Sequence, residues 1–198
     1  MLEDGYTDVP PGKIAAVVTY LELRERPAGA PRPLPAGFSL ERLTSPDLAD
    51  YRALFRAVGE PWLWFSRLAM TDAELSAVLN DPLNEVYILR LAGEARGLLE
   101  LDRRMPPDVE IGFLGVTPDL VGAGTGAAMM AFALERARAL GAPRILLHTC
   151  SLDHPRALSF YLRMGFQPYR RAIEVADDPR LAGLLPLTAA PHVPVIDG

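Results

Sequence analysis

Three glycines at alternating positions stand where a predicted strand passes into the longest predicted helix. Gly122, Gly124 and Gly126 follow the apolar segment 109–116 and open a helix predicted over 124–140. Glycine has no side chain, so the backbone N–H groups at this helix start are left unshielded. Such unpaired donors, together with the helix dipole, favour a bound anion. The spacing therefore predicts a phosphate-binding loop, with a glycine-rich turn that holds no ligand as the alternative.

Strands and helices are predicted along the rest of the chain from residue pattern and capping signals. Ser45 is predicted to cap the first helix, with Pro46 at its first position. The predicted strands cover 12–24, 38–43, 85–91, 95–101, 109–116, 145–149 and 166–175, and the predicted helices cover 46–58, 71–80, 124–140 and 155–164. This order predicts an α/β fold of three layers.

A single domain with two flanking segments is the predicted organisation, since 198 residues suit one domain. Residues 1–37 hold a strand and a proline-rich linker over 27–37, whose composition opposes helix and sheet pairing. Residues 38–176 form the domain. Residues 177–198 carry four prolines without a clear period, which predicts a tail on the surface or across a partner subunit.

Composition excludes several classes of protein. The net charge of −5 argues against a nucleic-acid binder, which usually has a basic face. One cysteine excludes an internal disulfide, and three scattered histidines do not have metal-ligand spacing, so no metal is expected. No apolar run reaches the length of a membrane span, and the acidic N-terminus lacks the pattern of a signal peptide. We therefore expect a cytoplasmic protein that binds neither nucleic acid nor membrane.

Two classes of phosphate ligand compete for the glycine loop. Residues 122–127 match the G-x-G-x-x-[GA] pattern of dinucleotide-binding folds. In those folds the strand runs directly into the first glycine, whereas residues 117–121 intervene here. The acid expected about 20 residues further on is also missing, because the segment 145–149 ends without one. No Gly-Lys-Ser/Thr follows, which excludes a P-loop, and the dinucleotide interpretation is disfavoured.

The segment Val116-x-Pro118, followed by the glycine loop and a long helix, resembles the acyl-CoA loop of the GNAT superfamily of N-acetyltransferases. Downstream, Ala157-Leu-Ser-Phe-Tyr-Leu-Arg-Met-Gly-Phe166 resembles the A-x-x-[FL]-Y-x-[KR]-x-G-F segment of that family. The resemblance covers roughly 38–171. It implies an α/β, GNAT-type three-layer fold with a mixed, mostly antiparallel sheet that is splayed at the cofactor site. It also implies direct transfer of an acetyl group from acetyl-CoA to an amine of a small molecule or peptide in a ternary complex.

The resemblance assigns a set of cofactor-binding residues on β-strand, loop and helix: Leu114, Val116, Val121, Gly122, Ala123, Gly124, Thr125, Gly126 and His154. Two of them depart from the family pattern. Val121 stands where Gln or Arg is usual, and His154 stands where Asn is frequent. These departures keep a second function open, a non-catalytic acyl-CoA-binding module that acts as a sensor or regulator.

Acetyl transfer to an amine needs a base, because a free alkyl amine titrates near ~10.4 and is mostly protonated at neutral pH. Glu110 is the candidate base, from the matching place in the family, with a solvent-facing strand residue as the alternative. Tyr161 is the candidate acid for the leaving thiolate, with a core tyrosine as the alternative.

The acceptor site is expected between the first two helices, where the resemblance places a substrate wall. Trp62, Trp64 and Phe65 lie there, and packing in the core is the alternative. His154 has three interpretations: a cap of the following helix, a hydrogen-bond partner of the cofactor, or an alternative base.

Three other features complete the set of expectations. Cys150 is interpreted as a small buried residue rather than a nucleophile, and His148 as a strand residue without a catalytic part. A homodimer is expected from the first strand, 12–24, and the tail, which are suited to covering a sheet edge or exchanging across an interface.

Overall fold

Seven strands form one open sheet in the computed structural model, which describes residues 4–25 and 33–197. Their order across the sheet is β2-β3-β4-β5-β6-β1-β7, and every neighbouring pair is antiparallel except β5 and β6. The strands are β1 (Lys13–Leu23), β2 (Phe38–Arg42), β3 (Asn84–Leu91), β4 (Glu94–Asp102), β5 (Val109–Val116), β6 (Ile145–Cys150) and β7 (Gln167–Asp177). The predicted mixed, mostly antiparallel sheet is confirmed. Part of the linker predicted over 27–37 lies outside the described residues.

Four helices cover the two faces of this sheet. They are α1 (Leu48–Gly59), α2 (Asp72–Leu79), α3 (Thr125–Ala139) and α4 (Ala157–Arg163). Apolar residues of α1 and α2 fill the core on one face, and those of α3 and α4 pack against the core on the other. The three predicted layers are therefore present. Within the described ranges, no helix has the length and apolar character needed to cross a bilayer.

The first helix begins later than the sequence predicted. Its N-cap is Asp47 rather than Ser45, and the carboxylate of Asp47 accepts a hydrogen bond of 2.9 Å from the N–H of Asp50. A carboxylate serves this position well because it is also attracted by the positive end of the helix dipole. At α2 the prediction is confirmed, since Thr71 and Glu74 form the reciprocal capping box.

A gap opens in the sheet between β5 and β6. The two strands pair only at Val109–Ile145 and Glu110–Leu146, and they diverge beyond those residues. On the other side of β5, Glu100 pairs with Phe113 and Leu101 with Ile111, so Gly112 is an extra residue that forms a β-bulge. The splay leaves one edge of β5 unpaired from Ile111 to Val116, where an extended ligand has access to backbone groups.

The N-terminal strand is built into the interior of the sheet. β1 pairs with β6 on one side and with β7 on the other, so it does not cover an edge as the sequence analysis expected. β7 is the edge strand instead. Alternation along β1 shows which face is buried, because Ile14, Ala16 and Val18 are buried while Ala15 and Val17 are exposed.

The C-terminal segment packs against its own chain. Leu185, Ala189 and Ala190 are buried in the core beside α1, which differs from the predicted surface tail. Asp178 and Arg180 form a buried ion pair, and Arg180 also donates to the carbonyl oxygens of Ala189 and Val193. The bonds from Arg180 to Ala189 and Val193 have no local sequence pattern. The boundaries predicted at residues 37 and 177 stay predictions, but both flanking segments share a core or sheet with the region between them.

Candidate active site

A cavity of about 680 Å³ opens at the gap between β5 and β6. Its walls come from β5, the glycine loop, α4 and the segment 62–67 that follows α1. The structure brings twelve of the predicted site residues to this one cavity: Trp62, Trp64, Phe65, Glu110, Leu114, Val116, Val121, Gly122, Gly124, Gly126, His154 and Tyr161. Ala123 and Thr125 are not among the lining residues. Ala123 is exposed, and Thr125 is fully buried.

The glycine loop presents unpaired donors at the start of α3. Gly122 and Gly124 have φ angles of 93° and 85°, in the left-handed region that side chains disfavour. Among the described residues, no protein acceptor receives the N–H groups of Gly122, Gly124 or 125–127. The hydroxyl of Thr125 is also buried without a partner. Five free N–H groups at a helix N-terminus suit a phosphate group.

The side chain of Val121 adds no polar group to this loop. It is 37% exposed, and its own N–H is already bonded to the carbonyl oxygen of Pro118. Any anion held here depends on backbone donors and on the helix dipole. Leu114 and Val116 lie on the unpaired edge of β5, next to the loop, where peptide groups of an extended ligand arm have access to them.

Glu110 is paired with a histidine that sequence reasoning set aside. The Oε1 atom of Glu110 lies 3.1 Å from Nδ1 of His148, and both side chains are partly exposed in the cavity. The hydrogen bond to Glu110, and the charges of Glu110, Asp153 and Glu174, raise the pKa of His148 above its usual range. The sequence shows only that His148 lies on the same face of β6 as Leu146, by the period of two. The pairing of Leu146 with Glu110, which brings His148 beside Glu110, is seen only in the structure.

Tyr161 lies near the end of α4, against the rings of Phe160 and Phe166. Burial, with a smaller effect of the negative charge of Asp153, raises the pKa of Tyr161. The hydroxyl therefore stays protonated at neutral pH. That property fits a proton donor, and the aromatic contacts show that the ring is part of the core as well.

Trp64 is both a wall of the cavity and a core residue. Its Nε1 donates to Oδ1 of Asp153 at 3.0 Å, and the other oxygen of that carboxylate accepts from the Thr149 hydroxyl at 2.7 Å and the Cys150 N–H at 2.8 Å. The indole lies over Gly115, whose missing side chain leaves room for it. Asp153 thus ties the end of β6 to the aromatic wall, a link that sequence reasoning missed.

His154 caps the turn that precedes α4. Its Nδ1 accepts a hydrogen bond of 3.0 Å from the N–H of Arg156, which is the N-cap residue of the helix. Its ring stands edge-on to Trp62 at 4.9 Å between centroids. Burial and the neighbouring charge of Arg156 lower the pKa of His154. Contact with a cofactor stays a prediction.

Cys150 lies in the same cavity, but its thiol is not activated. Burial, and the negative charge of Asp153, raise its pKa to about 11. A thiol is nucleophilic only as the thiolate, so this environment opposes an acyl-enzyme at Cys150.

A buried ion pair supports the far wall of the cavity, and sequence reasoning did not find it. Arg67 donates to Glu100 at 2.7 Å, and its guanidinium lies 5.0 Å from the ring centroid of Phe113. Tyr51 donates to the same carboxylate. Arg67 therefore connects Glu100 of β4 with Phe113 of β5 beside the cavity, and Tyr51 of α1 bonds to the same carboxylate.

The comparison with protein families decides the relationship. The model of the acetyltransferase (GNAT) family matches residues 50–166, which is more than half of the chain. The chain belongs to the GNAT family of acetyltransferases. A mycothiol acetyltransferase of Clavibacter michiganensis subsp. michiganensis (strain NCPPB 382) is 31% identical over 150 residues, which are 71% of this chain and 48% of that protein. The chain thus spans about half the length of that relative.

Solved GNAT structures share the fold. An acetyltransferase of the GNAT family from Novosphingobium aromaticivorans superposes with a TM-score of 0.57 at 18% identity, over 87% of this chain and 70% of that one. A GCN5-related N-acetyltransferase from Sphaerobacter thermophilus gives a TM-score of 0.60 at 19% identity, over 85% of this chain and 53% of that one. The predicted GNAT-type fold, with its splayed mixed sheet, is confirmed.

Proposed function

We propose that this GNAT protein transfers an acetyl group from acetyl-CoA to an amine of a small molecule or peptide, directly within a complex of both substrates. The proposal rests on the groups that line one cavity. This cavity holds the open N–H groups of the glycine loop, the unpaired edge of β5, Glu110 and Tyr161. Because the 31% identical relative is named a mycothiol acetyltransferase, acceptors related to mycothiol are the first to test.

The residues present fit acetyl-CoA. The five free N–H groups at the start of α3 receive its phosphates, and the edge from Ile111 to Val116 pairs with its amide-bearing arm. When bound, acetyl-CoA supplies an acetyl group activated as a thioester. An N–H on the splayed part of β5, that of Leu114, polarises the thioester carbonyl.

Glu110 prepares the amine. An ammonium group has no free electron pair, so the base must remove one proton before the new C–N bond forms. The carboxylate of Glu110 faces the cavity and takes this proton at one of its oxygens. The aromatic wall of Trp62, Trp64 and Phe65 holds the acceptor and excludes water from its amine.

Tyr161 completes the transfer as the C–S bond breaks. Its hydroxyl, which is protonated at neutral pH, donates a proton to the departing sulfur. The second proton lost by the amine nitrogen restores that hydroxyl. In total the ammonium gives up two protons: one leaves through Glu110 and the other ends on the thiol of CoA.

Thermal unfolding with acetyl-CoA, and with NAD as control, tests the cofactor. A ligand that binds only the folded state stabilises it by about 2.7 kcal/mol at 100 times its Kd. We expect acetyl-CoA to raise the midpoint and NAD to leave it unchanged. No shift with millimolar acetyl-CoA would contradict the cofactor assignment.

A screen of amines for release of the CoA thiol tests the reaction. We expect Glu110→Gln to lower kcat by about 10²-fold or more, and Tyr161→Phe by a similar order, with unchanged binding of acetyl-CoA. Glu94→Gln, which makes the same exchange at an exposed residue outside the cavity lining, serves as the matched control. Full activity in both variants would contradict these two assignments.

The second candidate function is a sensor that binds acyl-CoA without turnover. It is favoured by the lack of a polar side chain at Val121 and by the engagement of His154 in a turn. A midpoint that rises with acetyl-CoA, together with no CoA release for any amine, would select it.

A further inference from the structure

We propose that His148 receives the amine proton from Glu110 and passes it to solvent, so that the two side chains work as a relay. The inference rests on the proposed function, in which Glu110 deprotonates the acceptor. His148 acts through Glu110 and is therefore a positioning and relay residue rather than one that touches the acceptor.

The geometry places a proton path at the bottom of the splay. Nδ1 of His148 and Oε1 of Glu110 are 3.1 Å apart, a hydrogen-bond distance between neighbouring strands. The Glu110 side chain is 40% exposed and that of His148 is 46% exposed, so both reach the cavity and water. The bond joins β5 to β6 at the last point where the two strands pair.

The surroundings hold the imidazole in place and favour its charged form. The ring centroids of Tyr20, on β1, and His148 lie 5.7 Å apart. The guanidinium carbon of Arg170, on β7, lies 4.1 Å from the centroid of the Tyr20 ring. The carboxylates of Glu110, Glu174 and Asp153 act on His148 from three different segments, and each raises its pKa.

Proton affinities explain why a relay is useful. The pKa of an alkyl ammonium is ~10.4, about six above that of an ordinary glutamic acid but only about four above that of an ordinary imidazole. A proton that stops on a carboxylate returns easily to the amine. A proton that moves on to an imidazole with a raised pKa is held better, so the amine stays free for longer.

The step balances as follows. The ammonium N–H bond breaks and the proton binds an oxygen of Glu110, which leaves a neutral amine. In the neutral Nε2–H tautomer, Nδ1 of His148 has a free electron pair and accepts a hydrogen bond from the protonated Glu110. The proton then moves to Nδ1, so that Glu110 becomes a carboxylate again and the imidazolium donates its Nδ1–H to that carboxylate. The proton on Nε2 leaves to water, and the neutral imidazole is restored in its other tautomer. Proton exchange with water then returns that tautomer to the starting form.

The first test is the NMR titration of His148 without any substrate. Chemical shifts of the three imidazoles are followed against pH, and His148→Asn identifies the signal. We expect His148 to titrate above the ordinary value of ~6.5, and Glu110→Gln to lower that titration because it removes the negative charge. A His148 signal unchanged by Glu110→Gln would overturn the coupling.

The second test is the pH profile of kcat/KM. His148→Asn keeps an N–H group near the position of Nδ1 but cannot accept a proton. We expect a loss of about 10- to 100-fold at neutral pH, a displaced acidic limb, and an unchanged KM for acetyl-CoA. The smaller variant His148→Ala should regain activity with added imidazole, which can reach the half-exposed position. A merely structural role would show neither the displaced limb nor the rescue.

Failure of the relay is distinguishable from failure of the proposed function. Wild-type turnover with an unchanged profile in His148→Asn and no imidazole rescue would overturn the relay alone. Absence of turnover in the wild type, despite binding of acetyl-CoA, would overturn the proposed function and the relay with it. The control variant Glu94→Gln, at an exposed residue outside the cavity lining, should keep the wild-type profile.

Discussion

Gly115 lies under the indole of Trp64, and a side chain there has no space. An added Cβ would stand 2.5 Å from Cγ1 of Val58 and 2.9 Å from Cη2 of Trp64. Neither neighbour can move cheaply, because Val58 is β-branched and the indole is held by Asp153. The absence of one side chain on β5 therefore fixes where the aromatic wall of the cavity lies.

We expect Gly115→Ala to lower the free energy of unfolding by about 1–3 kcal/mol, as overpacking in a core does. Gly112→Ala is the matched control, since its Cβ would meet only Cβ of Glu100, at 4.0 Å. Urea unfolding of both variants measures the difference. Equal stabilities would show that the wall adjusts freely around position 115.

Residues with local signals were predicted well, and residues with distant partners were not. Thr71 and Glu74 are three positions apart, so their capping box is visible in the sequence. The role of Asp153 was missed, because its partner Trp64 lies 89 positions away. His148 was dismissed for the same reason, since its contact with Glu110 depends on strand pairing.

The contact of α3 with β3 shows how one buried carboxylate connects two elements. Arg136 donates two hydrogen bonds to Glu85, at 2.7 and 2.8 Å, and the hydroxyl of Tyr87 donates a third. The bonds from Arg136 are the main cause that lowers the pKa of Glu85 from 4.5 to about 2. A glutamate that is 1% exposed is thereby kept charged inside the protein.

The lowered pKa of Glu85 predicts how the stability of the protein changes in acid. Because the folded pKa is depressed, the contribution of Glu85, roughly 3 kcal/mol, is complete above pH ~4.5 and is lost as pH falls toward about 2. We expect Glu85→Gln to destabilise the protein at pH 6 and to flatten the decline of stability between pH 4.5 and 2. Unfolding free energies measured over this range provide the check. Glu94→Gln is the control, as that residue pairs with Arg96 at the surface, and an unaltered decline in Glu85→Gln would refute the assignment.

Element bounds were predictable to different degrees. β5 was predicted residue for residue at 109–116, because its apolar run ends in proline turns on both sides. The bulge at Gly112 was not located, since it depends on the register with β4. The position of β1 was missed because period two shows which face of a strand is buried but not which strands are its neighbours.

At the scale of the molecule, one arginine organises the C-terminal segment. Arg180 forms a two-bond ion pair with Asp178 and donates to carbonyl oxygens of 189–194, all in a buried position. Arg56 of α1 also reaches this segment, at the carbonyl oxygen of Leu184. The segment is held to the core by these bonds and by its own buried apolar residues.

We expect Arg180→Met to destabilise the protein by about 3–5 kcal/mol, because Asp178 would remain buried without its partner. Lys13→Met is the control, as it removes the exposed ion pair with Asp177 and should cost below about 1 kcal/mol. Thermal unfolding and limited proteolysis at the C-terminus compare the two. A stable Arg180→Met protein, resistant to the protease, would show that the apolar contacts alone hold the segment.

The position of β1 has a consequence for how the chain acquires its structure. β1 lies between β6 and β7, which both follow it far along the sequence. During synthesis, β1 has no partner on either side until β6 and β7 have been made. Contacts between residues so far apart in sequence slow folding, since the loop between them must close first. A nascent chain therefore exposes the apolar face of β1 until β6 and β7 are available to pair with it.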